Sequence, residues 1–247
     1  MNFLALGLII PLAACSFSWN GDGAGANSGS GAAAAGSGTT RTYQVTGFDG
    51  IDLQGSDDID VRVGTGFSIR AEGPSDQLDR LKIDRDGETL NIGRKNGASF
   101  GWNKGGKVKV YLTLPRLSDA TVSGSGNIAI DRVEGAKFEG EIPGSGNLTI
   151  AAIRVDDAAF SIAGSGNVRA AGTATMLKIA IAGSGEVDAP KLQARSAKIE
   201  ISGSGKIHAI VDGPATVNVL GSGDVDLGPN ARCTTSKMGS GRVRCGN

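Results

Sequence analysis

The tripeptide Gly-Ser-Gly recurs at a nearly constant spacing through the second half of the chain. Its copies begin at Gly124, Gly144, Gly164, Gly183, Gly203, Gly221 and Gly239, so that successive copies lie 20, 20, 19, 20, 18 and 18 residues apart. A repeat of this length is typical of solenoid proteins, in which each repeat forms one coil and stacks on the next. The sequence therefore predicts a column of stacked coils.

The residues on both sides of each Gly-Ser-Gly alternate between apolar and polar side chains. In the first repeat the apolar residues are Val122, Ile128 and Ile130, and the later repeats follow the same pattern. A period of two predicts a β-strand on each side of a tight corner. Glycine suits the corner because the chain turns sharply, through positive φ, and because stacked corners bring backbones close together. We expect an all-β fold, a parallel β-helix that is right-handed by the crossover rule.

Polar residues at equivalent positions of successive repeats form two columns. Their pattern favours coils stacked in register and argues against a series of hairpins. Stacked coils place equivalent residues about 4.8 Å apart. The first column then begins with asparagines and continues with alternating charges, and the second alternates from Arg169 onward; both patterns avoid contacts between like charges. The members of the first column are Asn127, Asn147, Asn167, Glu186, Lys206, Asp224 and Arg242, and those of the second are Arg169, Asp188, His208, Asp226 and Arg244.

Residues 41–115 differ from the repeats but are related to them. The stretch "GIDLQGSDDIDVRV" matches the register of a repeat and has Asp57 in place of the third corner residue. A strand at 67–71, a short helix near Pro74, a hairpin turning at Asp86-Gly87 and the strand "KVKVYLTLP" are predicted to follow. We expect this β-rich part to cap the solenoid of residues 116–247, since uncovered strand edges invite aggregation.

The first forty residues carry signals for export. Residues 1–15, "MNFLALGLIIPLAAC", form an apolar run of signal-peptide length that is too short to span a bilayer. Its end resembles the lipobox of bacterial lipoproteins, in which Cys15 becomes the lipidated N-terminus; the alternatives are an ordinary cleaved signal or a structural segment. Ser16 resembles the residue that sorts lipoproteins to the outer membrane. Residues 16–40 are rich in Gly, Ala and Ser and are predicted to form a flexible tether.

The composition argues against several classes of function. Lys and Arg together number 25, as do Asp and Glu, so no bulk field attracts nucleic acid and no nucleic-acid partner is expected. His208 is the single histidine, and no serine has a credible His/Asp partner pair for a Ser-His-Asp triad. Its place between Asp188 and Asp226 in the second column predicts a surface ion pair. No cofactor is expected.

Several residue groups are candidates for binding or chemistry. Asp57, Asp58 and Asp60 offer oxygen ligands for calcium, although solvated side chains are the alternative. Phe100 and Trp102 lie in a glycine-rich loop predicted at 95–106, where they would stack on a sugar or a partner, or fold back onto the domain. A carboxylate pair for glycoside hydrolysis remains open, but the outward acids are predicted to pair with bases instead.

Cys233 and Cys245 are predicted to form a disulfide. They lie six residues before and six after the final corner at Gly239, at positions whose side chains point into the coil. Two earlier repeats carry a pair of alanines at the equivalent positions. Small residues on both sides imply that the walls approach closely, and a disulfide needs Cα atoms within about 7 Å. An exported protein also meets an oxidising compartment. The alternative is a pair of buried free thiols.

The stretches "VTGFDGIDLQGSDDIDVRVGTG" at 45–66 and "LTLPRLSDATVSGSGNIAI" at 112–130, with the later corners, resemble a known family. The family is that of the bacterial putative auto-transporter adhesin "head GIN" domain proteins, and the resemblance covers 43–245. It implies a β-solenoid and an adhesion role and transfers no catalytic residues.

The function predicted from the sequence is that of a non-catalytic binding or adhesion scaffold, lipid-anchored in the bacterial cell envelope at the outer membrane. Its expected partners are the membrane, through the N-terminal lipid, and an envelope or surface ligand, either a glycan or a protein. Two alternatives stay open at this point. One is an envelope enzyme that acts on polysaccharide through a carboxylate pair, and the other is a structural component that self-associates end to end.

Overall fold

The structure is a computed structural model, and it describes residues 31–95 and 106–246. The predicted lipidation site Cys15 and the predicted aromatic pair Phe100 and Trp102 lie outside the described residues. So does most of the loop predicted at 95–106.

The described chain is almost entirely β-structure with one short helix. The strands are β1 Ala34–Ala35, β2 Thr40–Tyr43, β3 Gly50–Leu53, β4 Asp58–Val63, β5 Ser68–Glu72, β6 Leu81–Asp86, β7 Thr89–Arg94, β8 Lys109–Leu114, β9 Asp119–Val122, β10 Asn127–Ile130, β11 Val133–Ile142, β12 Asn147–Gly164, β13 Asn167–Gly183, β14 Glu186–Gly203, β15 Lys206–Val211, β16 Pro214–Gly221, β17 Asp224–Asp226, β18 Arg232–Met238 and β19 Val243–Arg244. Helix α1, Ser75–Arg80, lies between β5 and β6.

The repeats stack as parallel coils in the predicted register. Asn147 of β12 pairs with Asn127 of β10 and with Asn167 of β13, so one repeat separates neighbouring strands. The central strands β12, β13 and β14 each run through most of a coil, and a register shift between Ile150 and Ile153 marks the bend in β12. Each coil thus has a post-corner segment, a closing segment and a pre-corner segment, which in β12 are 147–150, 153–155 and 157–164. This confirms the predicted parallel solenoid.

Columns of aliphatic side chains fill the interior of the coils. The residue two positions before each corner is buried in all repeats but the last, and so are the residues four and six positions after it. The pre-corner column is Val122, Ile142, Ile162, Ile181, Ile201 and Val219, and the post-corner columns are Ile128, Leu148, Val168, Val187, Ile207 and Val225, and Ile130, Ile150, Ala170, Ala189, Ala209 and Leu227. Burial of apolar surface on this scale is the main stabilising term of the fold.

The N-terminal part caps the first coil. Strands β3 and β4 flank the corner at Gly55 and pair in parallel with β9 and β10, as the repeat register predicts. On their other side, β7 pairs with β3 and β8 pairs with β4, again in parallel. Beyond these strands the pairing becomes antiparallel, to β6 on one side and to β5 and β2 on the other. The change in strand direction ends the solenoid pattern.

Two boundaries in the N-terminal part differ from the prediction. Ala34 and Ala35, placed in the predicted tether, form β1 and pair with Tyr43 and Thr42 of β2. Strand β2 would otherwise be an edge with unpaired backbone groups, and these small residues cover it without side-chain clashes. The hairpin turn falls one residue later than predicted, because Asp86 pairs directly with Thr89.

The last coil is closed differently from the others. Within the described chain, β18 pairs only with β16, and its inward positions carry Cys233, Thr235 and Lys237 opposite buried apolar residues of β16. The Lys237 Nζ donates a hydrogen bond to the Gly241 carbonyl, at 2.7 Å. Cys233 and Cys245 are joined in a disulfide with their Cα atoms 6.2 Å apart. Inward-pointing charge on a terminal strand discourages the addition of another strand.

We expect Cys233 and Cys245 to be linked in the mature protein. Peptide mass spectrometry under non-reducing conditions should recover the two cysteines in one cross-linked species. Reduction should lower the free energy of unfolding by about 3 kcal/mol, the entropic estimate for a loop of this length. Recovery of both cysteines as freely alkylated thiols would contradict the prediction.

Candidate ligand-binding groove

The first polar column runs up the post-corner segments as a hydrogen-bonded ladder. Asn127 Nδ2 donates to Asp58 Oδ1 at 2.6 Å, Asn147 Nδ2 donates to Asn127 Oδ1 at 2.7 Å, and Asn167 Nδ2 donates to Asn147 Oδ1 at 2.8 Å. Above them Glu186, Lys206 and Asp224 lie in register. The hydrogen bond from the Arg242 side chain lowers the pKa of Asp224.

The second column brings the predicted partners near one another. Arg169 Nε lies 3.9 Å from Asp188 Oδ2, and His208 Nδ1 lies 3.7 Å from Asp188 Oδ1. At the end of the column, Arg244 approaches Asp226 at 4.0 Å. His208 is therefore a member of a surface ladder beside Asp188.

Reversal of one charge in the first column tests the stacked register. Lys206→Glu places three acids in succession, because Lys206 lies between Glu186 and Asp224. We expect a fall in melting temperature of about 1–3 °C at low salt, since like charges on stacked strands repel. The fall should shrink in high salt. Lys206→Gln is the control that removes the charge without reversing it, and an equal effect of both variants at all salt concentrations would contradict the ladder.

The three aspartates of the first corner do not converge. Asp57 is only 1% exposed, so its interpretation as a solvated corner residue is wrong. Asp58 and Asp60 point outward and lie near Lys107 and Lys109, at 3.4 Å and 2.7 Å. The alternation of the strand turns Asp57 away from Asp58 and Asp60, and each of the three faces a different basic residue. In the ranges 31–95 and 106–246, no three His, Cys, Asp or Glu side chains cluster as a metal site would require.

Asp57 joins the cap to the first coil. Its Oδ1 accepts a hydrogen bond from the Arg94 guanidinium at 2.5 Å and another from the Val108 backbone N–H at 3.0 Å. Arg94 ends β7 and Val108 directly precedes β8, so one carboxylate holds both strands beneath the first coil. The same arginine donates to the Gln77 carbonyl of helix α1 at 2.7 Å. The aspartate thus replaces the corner glycine with a structural ion pair.

A groove of about 860 Å³ runs along the closing segments, parallel to the solenoid axis. Its floor is formed by small residues that stack in register from coil to coil, namely Gly135, Val155, Ala174 and Ala194. The floor side chains Val155, Ala174 and Ala194 are buried. The bottom of the groove is therefore mostly backbone and short side chains.

Two columns of polar side chains form the walls of the groove, which we name wall 1 and wall 2. Because side chains alternate along a strand, the residues on either side of each buried floor residue point outward. Wall 1 consists of Glu134, Arg154, Thr173 and Gln193, and wall 2 of Asp156, Thr175, Arg195 and Asp212. Most of these side chains are exposed hydrogen-bonding groups.

The charged side chains of the groove form no ion pairs with one another among the described residues, whereas several in the two ladders do. Among the described residues, neither Arg154 nor Arg195 has a carboxylate oxygen within 4.0 Å. Asp212 instead accepts a hydrogen bond from Asn230 Nδ2 at 2.6 Å, and Thr175 separates Asp156 from Arg195 in wall 2. The prediction that outward acids pair with bases is therefore wrong for this segment. Free hydrogen-bonding capacity of this kind is available to a ligand.

The sequence did not single out the groove residues, because nothing in their spacing shows where a coil bends. Their one signal is that the closing segments alternate small floor residues with charged or amide neighbours in successive repeats. Within the described ranges, no helix has the length and apolar character to cross a membrane.

The parallel stack, its antiparallel cap and its closed last coil define a β-solenoid. The chain belongs to the family of the putative auto-transporter adhesin, head GIN domain, whose model matches residues 47–231.

Solved structures share this fold. A putative adhesin from Bacteroides fragilis is 22% identical with a TM-score of 0.76, covering 83% of this chain and 95% of its own. A putative lipid binding protein from Parabacteroides distasonis is 24% identical with a TM-score of 0.64, covering 83% and 95%. A putative adhesin from the same species is 19% identical with a TM-score of 0.63, covering 84% and 96%. No curated protein matches the chain.

Proposed function

We propose that this protein is a non-catalytic binding scaffold of the bacterial cell envelope, anchored through a lipid on Cys15. Its family is named for adhesion, and two of its structural neighbours carry the same description. The observation that carries the proposal is the groove, whose two wall arginines have no carboxylate partner among the described residues, whereas Arg169 and Arg242 of the ladders each lie beside an aspartate. A rigid column of hydrogen-bonded coils holds these walls in place, so binding requires little ordering of the protein.

One arrangement in the groove favours a second function. Glu134 lies in register with Arg154, and Asp156 follows on the opposite wall. From the strand spacing and the rise per residue, the Cα atoms of Glu134 and Asp156 lie about 8 Å apart. Glycosidases act through a pair of carboxyl groups that flank the scissile bond, so hydrolysis of a glycan by Glu134 and Asp156 is the alternative to binding alone.

End-to-end self-association is less favoured by the same structure. A further coil would have to stack on β18, whose inward positions are occupied by Cys233, Thr235 and Lys237. An added strand would cover the Lys237 side chain and would find no continuous apolar column to pack against.

Retention on cells tests the binding function. The full chain, purified in detergent and fluorescently labelled, is incubated with intact cells and with isolated envelopes of the producing bacterium. Saturable retention that is competed by unlabelled chain is expected. Retention equal to that of an unrelated labelled lipoprotein of the same size would contradict the proposal.

The anchor is tested by Cys15→Ser. We expect this variant to leave the membrane fraction, or to remain uncleaved, because the serine cannot carry the thioether-linked lipid. Ser16→Ala is the matched control, since it changes the neighbouring residue and keeps the cysteine. Fractionation and intact-mass measurement check both variants, and a Cys15→Ser chain that is membrane-bound and processed like the parent would contradict lipidation.

A further inference from the structure

We propose that the groove binds an extended, neutral polysaccharide strand along the solenoid axis. This inference rests on the proposed binding function and names the ligand class of the same site. It follows from the chemistry of the two walls, from their net charge and from their repeat along the axis.

The wall side chains are those that recognise sugar hydroxyls. Arginine, glutamine and carboxylate groups each present two coplanar polar atoms, which match a pair of adjacent hydroxyls on a sugar ring, and threonine both donates and accepts. Such groups line both sides of the groove floor, with Arg154, Thr173 and Gln193 on wall 1 and Asp156 and Arg195 on wall 2. A hydroxyl also serves as donor and acceptor, so acids and bases of the walls are satisfied by one uncharged ligand.

The net charge of the walls argues against a polyanion. Glu134, Asp156 and Asp212 contribute three negative charges and Arg154 and Arg195 two positive charges, a sum of −1 over the lining residues. A chain of uronic acids would bring carboxylates against three acids without enough bases to pair them. Burial of unpaired like charge is costly, whereas neutral hydroxyls avoid this cost.

The repeat of the groove suits a polymer better than a compact ligand. The walls continue through successive coils, and the groove is open along its length instead of enclosing a small molecule. Stacked coils advance by about 4.8 Å, so that roughly one pyranose ring of an extended glycan would lie against each coil. Each ring then meets a new pair of wall residues, and affinity should rise with chain length until the groove is filled.

The test measures binding of the full chain, in detergent, to three classes of oligosaccharide by isothermal titration calorimetry. The probes are a panel of neutral gluco-, manno- and galacto-oligosaccharides of increasing length, alginate oligosaccharides as the polyanion, and chitosan oligosaccharides as the polycation. The variants Arg154→Ala and Gln193→Ala remove groups of wall 1. Arg169→Ala is the matched control, because Arg169 lies in the second ladder beside Asp188.

We expect at least one neutral series to bind, with affinity that rises with length and then becomes constant. Arg154→Ala and Gln193→Ala should each weaken binding about tenfold, and Arg169→Ala should leave it unchanged. Binding of alginate or chitosan alone, an equal loss in all three variants, or no binding by any neutral series would overturn the inference. If the chain is retained on cells while the groove variants behave as the parent, the scaffold function stands and the glycan site does not.

Discussion

Replacement of Gly203 by alanine is expected to lower the free energy of unfolding by about 4 kcal/mol. Gly203 has a φ of +133°, a conformation that side chains rarely adopt. A Cβ at this position would also collide with the carbonyl oxygen of Gly183 in the preceding coil. Backbone strain of about 1–3 kcal/mol and overpacking of about 1–3 kcal/mol combine here.

Urea unfolding followed by circular dichroism measures this effect. Ser204→Ala is the matched control, because Ser204 is the exposed middle residue of the same corner and its change should stay within about 0.5 kcal/mol. If Gly203→Ala accumulates too poorly to purify, limited proteolysis in lysates compares the two variants directly. Equal resistance of the two would contradict the role of close backbone approach at the corners.

Replacement of Asp57 by alanine is expected to cost about 3 kcal/mol and to lower the melting temperature by about 6–12 °C. The variant leaves the Val108 N–H without its acceptor and leaves Arg94 without its carboxylate at the junction of cap and first coil. Asp57→Asn retains an acceptor oxygen but loses the charge, so an intermediate loss is expected.

Asp60→Ala is the control for Asp57, because Asp60 belongs to an exposed ion pair with Lys109 whose loss should have little effect on stability. Thermal unfolding of the three variants, with light scattering recorded alongside, checks the order. Release of the cap should also increase aggregation, since β3 and β4 would become exposed edges. Similar melting temperatures for the Asp57 and Asp60 variants would contradict the interpretation of Asp57 as a clamp.

The repeats were predictable because one local rule fixes them. The same apolar positions and the same corner recur in each coil, so the register of Asn127 against Asn147 follows from their spacing alone. The prediction of positive φ at the corners is confirmed at Gly164, Gly183, Gly203, Gly221 and Gly239, and the first two corner glycines do not share it. At Gly144 the close approach to Gly124 is sufficient to exclude a side chain.

The cap and the groove were less predictable because they depend on contacts distant in sequence. The alternating pattern does not show whether the Asp57 side chain is solvated or buried at the end of the coil. Its burial depends on Arg94 and Val108, which are distant in the sequence and contact its carboxylate. In the groove, Arg154 and Asp156 lie on either side of the buried Val155, and the alternation of one strand does not show that successive closing segments stack into a groove. A strand pattern gives side-chain direction but not the curvature of the backbone.

The central claim, that the groove binds glycan without cleaving it, is tested most directly by following one ligand through binding and release. A neutral oligosaccharide that binds is labelled at its reducing end, incubated to equilibrium with the full chain, and then recovered and sized by mass spectrometry. The account predicts saturable binding, weakened by Arg154→Ala, with the length of the recovered oligosaccharide unchanged. Progressive shortening that Glu134→Gln or Asp156→Asn abolishes would contradict it and would show the protein to be a glycoside hydrolase.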